Sequence, residues 1–416
     1  MALLDPPVPP GPGRRARLAT ATASACAGAL ALLVSGCSAF ATPQPPSVHS
    51  PSLAPSGPVG YVVCPTSVTP IELSTATAEA NIALPISGTP VLGNFAIAAS
   101  SDGRFAYVVT ADGAVSGDPG PTAAVTAPAP SPSSVAGSTT TQPTGGGVRN
   151  VVVPIDLVTQ RAERPIPIPG DGATHGIVVL PDGRTVLAAS GTTIVPVDTV
   201  TRRVGTPLDL GPGRTIFGLA LDPATSTLYA LVPSGVVPVV TTDLHPGAEI
   251  PTGLSVSSVD SPHGLVVTGD GTRVYVVGQG GTDFGGRVLP IVTATGTALA
   301  PTGFDRFGIA DPAAVAVTAD GASLLVADAA NNWVNPVAVA TFATPAAPVP
   351  LLESGSRSAA SGTQHPSDIV IGPGDTGAFV VDGFDAVIPY SPTTQVFGPP
   401  IGVCSGASSM TVAPAP

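Results

Sequence analysis

Residues 262–279 read PHGLVVTGDGTRVYVVGQ. Leu265-Val266-Val267 is a short apolar run, Gly269-Asp270-Gly271 interrupts it, and Tyr275-Val276-Val277 is a second run. An Asp-Gly pair between two apolar runs is a strong hairpin mark, because glycine accepts the left-handed backbone that a tight turn needs. Residues 175–190, HGIVVLPDGRTVLAAS, carry the same pattern.

Working outward, the pattern recurs along the chain. The second run has counterparts at Tyr61-Val62-Val63, Tyr107-Val108-Val109, Val186-Leu187-Ala188, Tyr229-Ala230-Leu231, Leu325-Val326-Ala327 and Phe379-Val380-Val381. Turn signals precede most of them: Asp102-Gly103, Asp182-Gly183, Asp222-Pro223, Asp320-Gly321 and Gly374-Asp375. After each run comes Val/Ile-x-Pro-apolar or a close variant, with prolines at Pro70, Pro154, Pro196, Pro238, Pro290, Pro336 and Pro389. The steps between these seven prolines are 84, 42, 42, 52, 46 and 53 residues. Each unit therefore reads as strand A, Asp-Gly turn, strand B, loop, strand C with its proline, and a weaker strand D. Four strands in roughly 40–50 residues is the signature of a β-propeller blade. A proline inside strand C cannot donate to a ladder, and its recurrence points to a strand start or a bulge.

Composition agrees. The 416 residues include 49 Gly and 50 Pro, which excludes a coiled coil or helical bundle, while 43% apolar residues suffice for a core. Every one of the 15 basic residues is Arg, and the formal charge of −12 with a pI near 4.6 excludes nucleic acid as a partner.

The stretches 262–279 and 175–190 resemble the YVTN-type β-propeller repeat, over about residues 59–414. The resemblance implies an all-β, seven-bladed β-propeller. The Asn of the family's namesake motif is missing here (YVVC, YVVT, YALV, YVVG). Residues 113–147 are low-complexity and lack a second turn and strand pair. They are expected to be a disordered insertion between strands B and C of one blade, which accounts for the 84-residue step. Their Ser, Thr and Pro content would suit O-glycosylation.

The first recognisable strand, residues 60–64, lacks a strand A of its own. The last apolar run, residues 410–414, looks like a strand A without a B. The C-terminal strand is therefore expected to complete the first blade. In a propeller the B–C and D–A connections emerge on one face, so Cys64, ending a strand B, and Cys404, in the last connection, should lie close. Outside the cytoplasm they would form a disulfide.

At the N-terminus, Arg14, Arg15 and Arg17 precede an uncharged stretch from Leu18 to Val34, short and weakly apolar for a membrane span. It reads as a signal-peptide core. Val34-Ser35-Gly36-Cys37 resembles the lipobox of bacterial lipoproteins, which implies lipidation of Cys37 and placement on the outer face of the cell membrane. Arg14-Arg15 leaves export by the general or the twin-arginine route open. Residues 1–36 are then the signal and residues 37–58, rich in Pro and Ser, a tether. Cleavage leaves 12 Arg against 26 acids, a charge of −14 that anionic headgroups would repel.

Candidate chemistry is sparse. His175, His263 and His365 each lie just ahead of a strand A, at the mouth of the central channel, and three converging His would make a metal site. The equivalent positions around the ring are Phe95, His175, Phe217, His263, Ala313, Ser367 and Ser408, so only two of seven are His. His49 and His245 read as solvated. Asp102, Asp182, Asp270, Asp320 and Asp375 read as turn formers on the opposite face. Asp156 and Asp198, which follow strand C, read as structural. Asp260, Asp311 and Asp368 lie near the His-bearing face as possible ligands or bases. Trp333, the single Trp, sits at a B–C loop as an exposed binding aromatic or a buried one. Neither a nucleophile motif, a phosphate loop, a zinc spacing nor a dinucleotide fingerprint is present.

Two functions follow as expectations. One is a non-enzymatic binding or scaffolding module, monomeric and without a cofactor, held at the membrane by lipid and facing an envelope protein or glycan. The other is a lactonase- or lyase-like enzyme with a divalent metal at His175, His263, His365 and Asp368.

Overall fold

The computed structural model describes residues 57–86, 95–112, 149–170, 174–222, 224–256, 263–280, 285–303, 309–341, 349–351, 365–375 and 377–415. They form seven small antiparallel sheets. Each innermost strand packs against the next one around the circle, and the last returns to the first. The fold is a seven-bladed β-propeller.

Blade 3 shows the plan. Strand A is Ile177–Val179, strand B Thr185–Ser190 and strand C Thr193–Asp198. The outer strand is two pieces, Arg203–Val204 and Leu208–Asp209, both paired to strand C. Strand B is buried nearly throughout in every blade, because each blade is covered on both faces by its neighbours. Alternate side chains of strand B serve opposite interfaces. Tyr61 and Val63 pack toward blade 2, while Val62 and Cys64 pack toward blade 7. Among the described residues there is one apolar cluster for each of the seven blade interfaces. Across one such interface the Tyr107 hydroxyl donates to Thr199 Oγ1 of the next blade at 3.2 Å.

The strand C proline has a physical reason in this arrangement. In an antiparallel ladder the N–H and C=O of one residue face the same neighbour. The carbonyls of Pro70, Pro154, Pro196, Pro238, Pro290 and Pro389 accept N–H groups of Glu79, Glu163, Gly205, Gly247, Leu299 and Gly398 at 2.7–2.8 Å. Each of the six donors directly follows the first piece of its outer strand. The donor that proline lacks would face the same way, and there the outer strand parts into its two pieces.

The C-terminal strand closes the ring as expected. Ser409–Ala413 pairs antiparallel with Val59–Cys64, with Val59 opposite Ala413 and Val63 opposite Ser409. Blade 1 is thus built from both ends of the chain. The 84-residue step is spanned by a single blade, since Phe105–Asp112 pairs directly with Arg149–Asp156. The expected insertion at 113–147, Cys37, the signal and nearly all of the tether lie outside the described residues.

Candidate functional site at the channel mouth

The innermost strands all begin on one face, beside the B–C loops, and end on the other, at the Asp-Gly turns. Three residues at or just ahead of strand starts meet at the mouth. Asp368 opens the innermost strand of blade 7, Asp368–Ile371, and Ser409 opens the closing strand. His263 precedes Leu265–Val267 of blade 5 and is held by a bridge to blade 6, its carbonyl accepting the Val315 N–H at 2.9 Å. From there the His263 ring reaches past blade 6. Its Nε2 lies 2.9 Å from Ser409 Oγ and 3.3 Å from Asp368 Oδ2.

Asp368 and Ser409 are wholly buried, while the His263 side chain keeps 26% exposure. Asp368 Oδ2 also accepts the Met410 N–H at 2.8 Å, and Oδ1 accepts the N–H of Ile369 at 2.7 Å. Burial pushes the Asp368 carboxyl above the usual carboxylate range, against the opposing pull of His263 and of these donors. A hydrolytic triad places its carboxylate and its serine on opposite nitrogens of the imidazole. Here both share Nε2, and Ser409 faces no solvent. The cluster ties three blades together and does not present an activated nucleophile.

The other histidines have separate partners. His175 is buried and meets Phe217 edge-on, centroids 6.4 Å apart. His365 is exposed, with Nδ1 3.1 Å from the Ala329 carbonyl and its ring 6.4 Å from Phe384. Among the described residues, no three His, Cys, Asp or Glu side chains are placed to hold one metal ion. His245 is exposed. Trp333 is half-buried at the start of strand C, opposite Asp328 and Pro350. His49, Asp260 and the Asp375 side chain lie outside the described residues.

The remaining acids organise backbone. Asp102, Asp270 and Asp320 accept hydroxyls of Ser100, Thr268 and Thr318 at 2.6 Å within their turns. Asp156 accepts the N–H groups of Val158 and Thr159, and Asp198 that of Thr201. Asp198 is also paired with Arg184 at 2.7 Å, which with the Thr201 donor holds its carboxyl down at about 2. Asp311 accepts Gln279 Nε2 at 3.2 Å.

Three residues of this face were not singled out in the sequence. Ser409 is one. The others are Asp328, the last residue of strand B in blade 6, and Asp382, directly after strand B in blade 7. Asp328 is fully buried and accepts the N–H groups of Ala310, Asp311 and Ala330 and the Asn331 amide. Asp382 accepts three from Phe384, Asp385 and Ala386, and burial raises its carboxyl. Their signal was present: an acid directly after an apolar strand, ahead of a tight loop. In blade 1 the same position is Cys64, which forms a disulfide with Cys404, Cα atoms 6.0 Å apart.

No family model and no curated protein sequence matches the chain. Solved structures do match in shape. Hydrazine synthase of Kuenenia stuttgartiensis aligns with a TM-score of 0.57 at 14% identity, over 78% of this chain and 90% of that one. A functionally unknown protein from Desulfotomaculum acetoxidans DSM 771 aligns with a TM-score of 0.51 at 13% identity, over 85% and 98%. At such identity the likeness is one of fold, and the chain is similar to both as a propeller.

Proposed function

We propose that this chain is an exported, lipid-anchored propeller of the YVTN-repeat type that serves the cell envelope as a non-enzymatic binding or scaffolding module. In this reading residues 1–36 are a signal peptide, Cys37 carries the lipid, residues 37–58 are the tether and residues 59–414 the propeller, with 113–147 inserted in blade 2. The observation that carries it is the position of the chain ends. Val59 and Ala413 are paired at the Asp-Gly turn face, where Pro414 packs against Gly103. A tether from Cys37 therefore enters that face, with a reach of at most about 70 Å. The face bearing His263, the B–C loops and the disulfide then points away from the membrane, free for a protein or glycan partner. His263, Asp368 and Ser409 at the channel mouth are bonded to one another, which supports display over catalysis.

Two measurements test this. Fatty-acid labelling of the full chain in cells should be lost on Cys37→Ala, and persistence of the label would remove the anchor. Photo-crosslinkers at Asp385 and at Thr201 report the two faces. Adducts from intact envelopes should form at Asp385, and equal capture at Thr201 would remove the oriented display. A stoichiometric divalent ion in the purified chain, lost on His175→Ala, would replace this reading by the metal enzyme.

A further inference from the structure

The ring is sealed by a five-residue closing strand, Ser409–Ala413, and at the channel mouth that seal rests on a carboxylate that water does not reach. Asp368 Oδ2 accepts the Met410 N–H at 2.8 Å, while His263 Nε2 lies 3.3 Å from that oxygen and 2.9 Å from Ser409 Oγ. The geometry points to a proton-operated latch: His263 and Asp368 hold the start of the closing strand through one shared proton, and loss of that proton loosens Ser409 and Met410.

With one proton in the pair, the partners are carboxylate with imidazolium or carboxylic acid with imidazole. Either way no net charge is buried. Remove the proton, and a fully buried carboxylate faces a neutral ring, with the Met410 and Ile369 N–H groups and the Ser409 hydroxyl left to stabilise it. The direction of the Asp368 shift agrees: a carboxyl raised by burial stabilises the fold while protonated and loses that contribution as pH rises through its raised value. The latch therefore opens on the alkaline side.

Other ionisable groups on the packed elements are committed elsewhere. Asp311 is bonded to Gln279, Asp328 and Asp382 to the backbone of their own and neighbouring loops, and His365 to the Ala329 carbonyl. None of them is placed to replace His263 beside Asp368. The Cys64–Cys404 bond sits five residues before Ser409, so loosening stays local to the strand start and does not unzip the ring.

Amide hydrogen exchange on the oxidised full chain tests the latch, with rates corrected for intrinsic chemistry and Thr185–Ser190 of blade 3 as the reference strand. Between about pH 6 and about pH 9, protection of residues 409–413 should fall by roughly tenfold or more relative to the reference, the equivalent of one pKa unit of differential interaction. Asp368→Asn accepts the Met410 N–H without a charge, and its closing strand should show no differential response. His263→Gln removes the opposing pull on Asp368, whose carboxyl then stays protonated to higher pH, so the closing strand's loss of protection should move to the alkaline side of the wild-type loss. A wild-type closing strand that tracks the reference at both values overturns the proposal. So does an Asp368→Asn chain that responds as wild type does. If that variant fails to fold, His263→Gln decides: a closing strand that loses protection at the same pH as wild type overturns the latch.

Discussion

A proline inside a strand costs the sheet one donor, and here that cost falls at the same place in every blade. Six strand C prolines still receive an N–H from the residue that follows the first outer piece, and the outer strand separates where they cannot return one. The recurrence of these residues was visible in the sequence, but their meaning was not, because it depends on which neighbour the proline faces. Asp328 and Gly271 show two further single-residue dependencies. The Asp328 carboxylate satisfies four donors in a fully buried site, so Asp328→Ala should cost about 3 kcal/mol in chemical denaturation, and Asp328→Asn less. Gly271 has φ +67, and a Cβ there would stand 2.7 Å from both Asp222 carboxyl oxygens. Gly271→Ala should therefore lower the denaturation midpoint, by roughly 1–3 kcal/mol of strain and displacement.

Among the elements, the A–B hairpins were the most legible part of the molecule. Two apolar runs and an Asp-Gly pair are contiguous in sequence, and their chemistry is local. The structure adds a hydroxyl partner two residues ahead of the acid: Ser100, Thr268 and Thr318 hold Asp102, Asp270 and Asp320 below the usual carboxylate range. A carboxyl lowered by folding contributes stability above its unfolded value and loses it as pH falls through its folded value. The hairpins should thus weaken from about pH 4 downward, reaching about 2 for Asp198 of the adjoining C–D turn. Melting temperature followed across that interval checks this, and Asp198→Asn should flatten the lower part of the curve. The outer strands were the least legible elements. Two-residue pieces carry no periodicity, and only pairing with strand C defines them.

For the whole molecule, closure is the governing event. The closing strand covers the inner edge of Val59–Cys64, and the disulfide joins residues 340 apart in sequence beside it. On the chain-entropy account a loop of that length is worth on the order of 5 kcal/mol. Cys404→Ser should lower the melting temperature to that of the reduced wild type, with no additional effect of reductant. Deleting residues 409–416 leaves a fully apolar strand edge open, and size-exclusion chromatography should then find aggregate in place of monomer.

Periodicity of two, Asp-Gly turns, a recurrent proline and complementary chain ends sufficed for seven blades, their order, the closing strand and the disulfide. All of these are signals within a repeat or counts over repeats, and one repeat constrains the next through the same short-range rules. Sequence likewise placed His263 and Asp368 on one face. That His263 meets both Asp368 and Ser409, the latter 146 residues away, while His175 and His365 turn to Phe217 and Phe384, was decided by the tertiary structure alone. The radius of the ring and the reach of each side chain set those distances, and no local pattern encodes them.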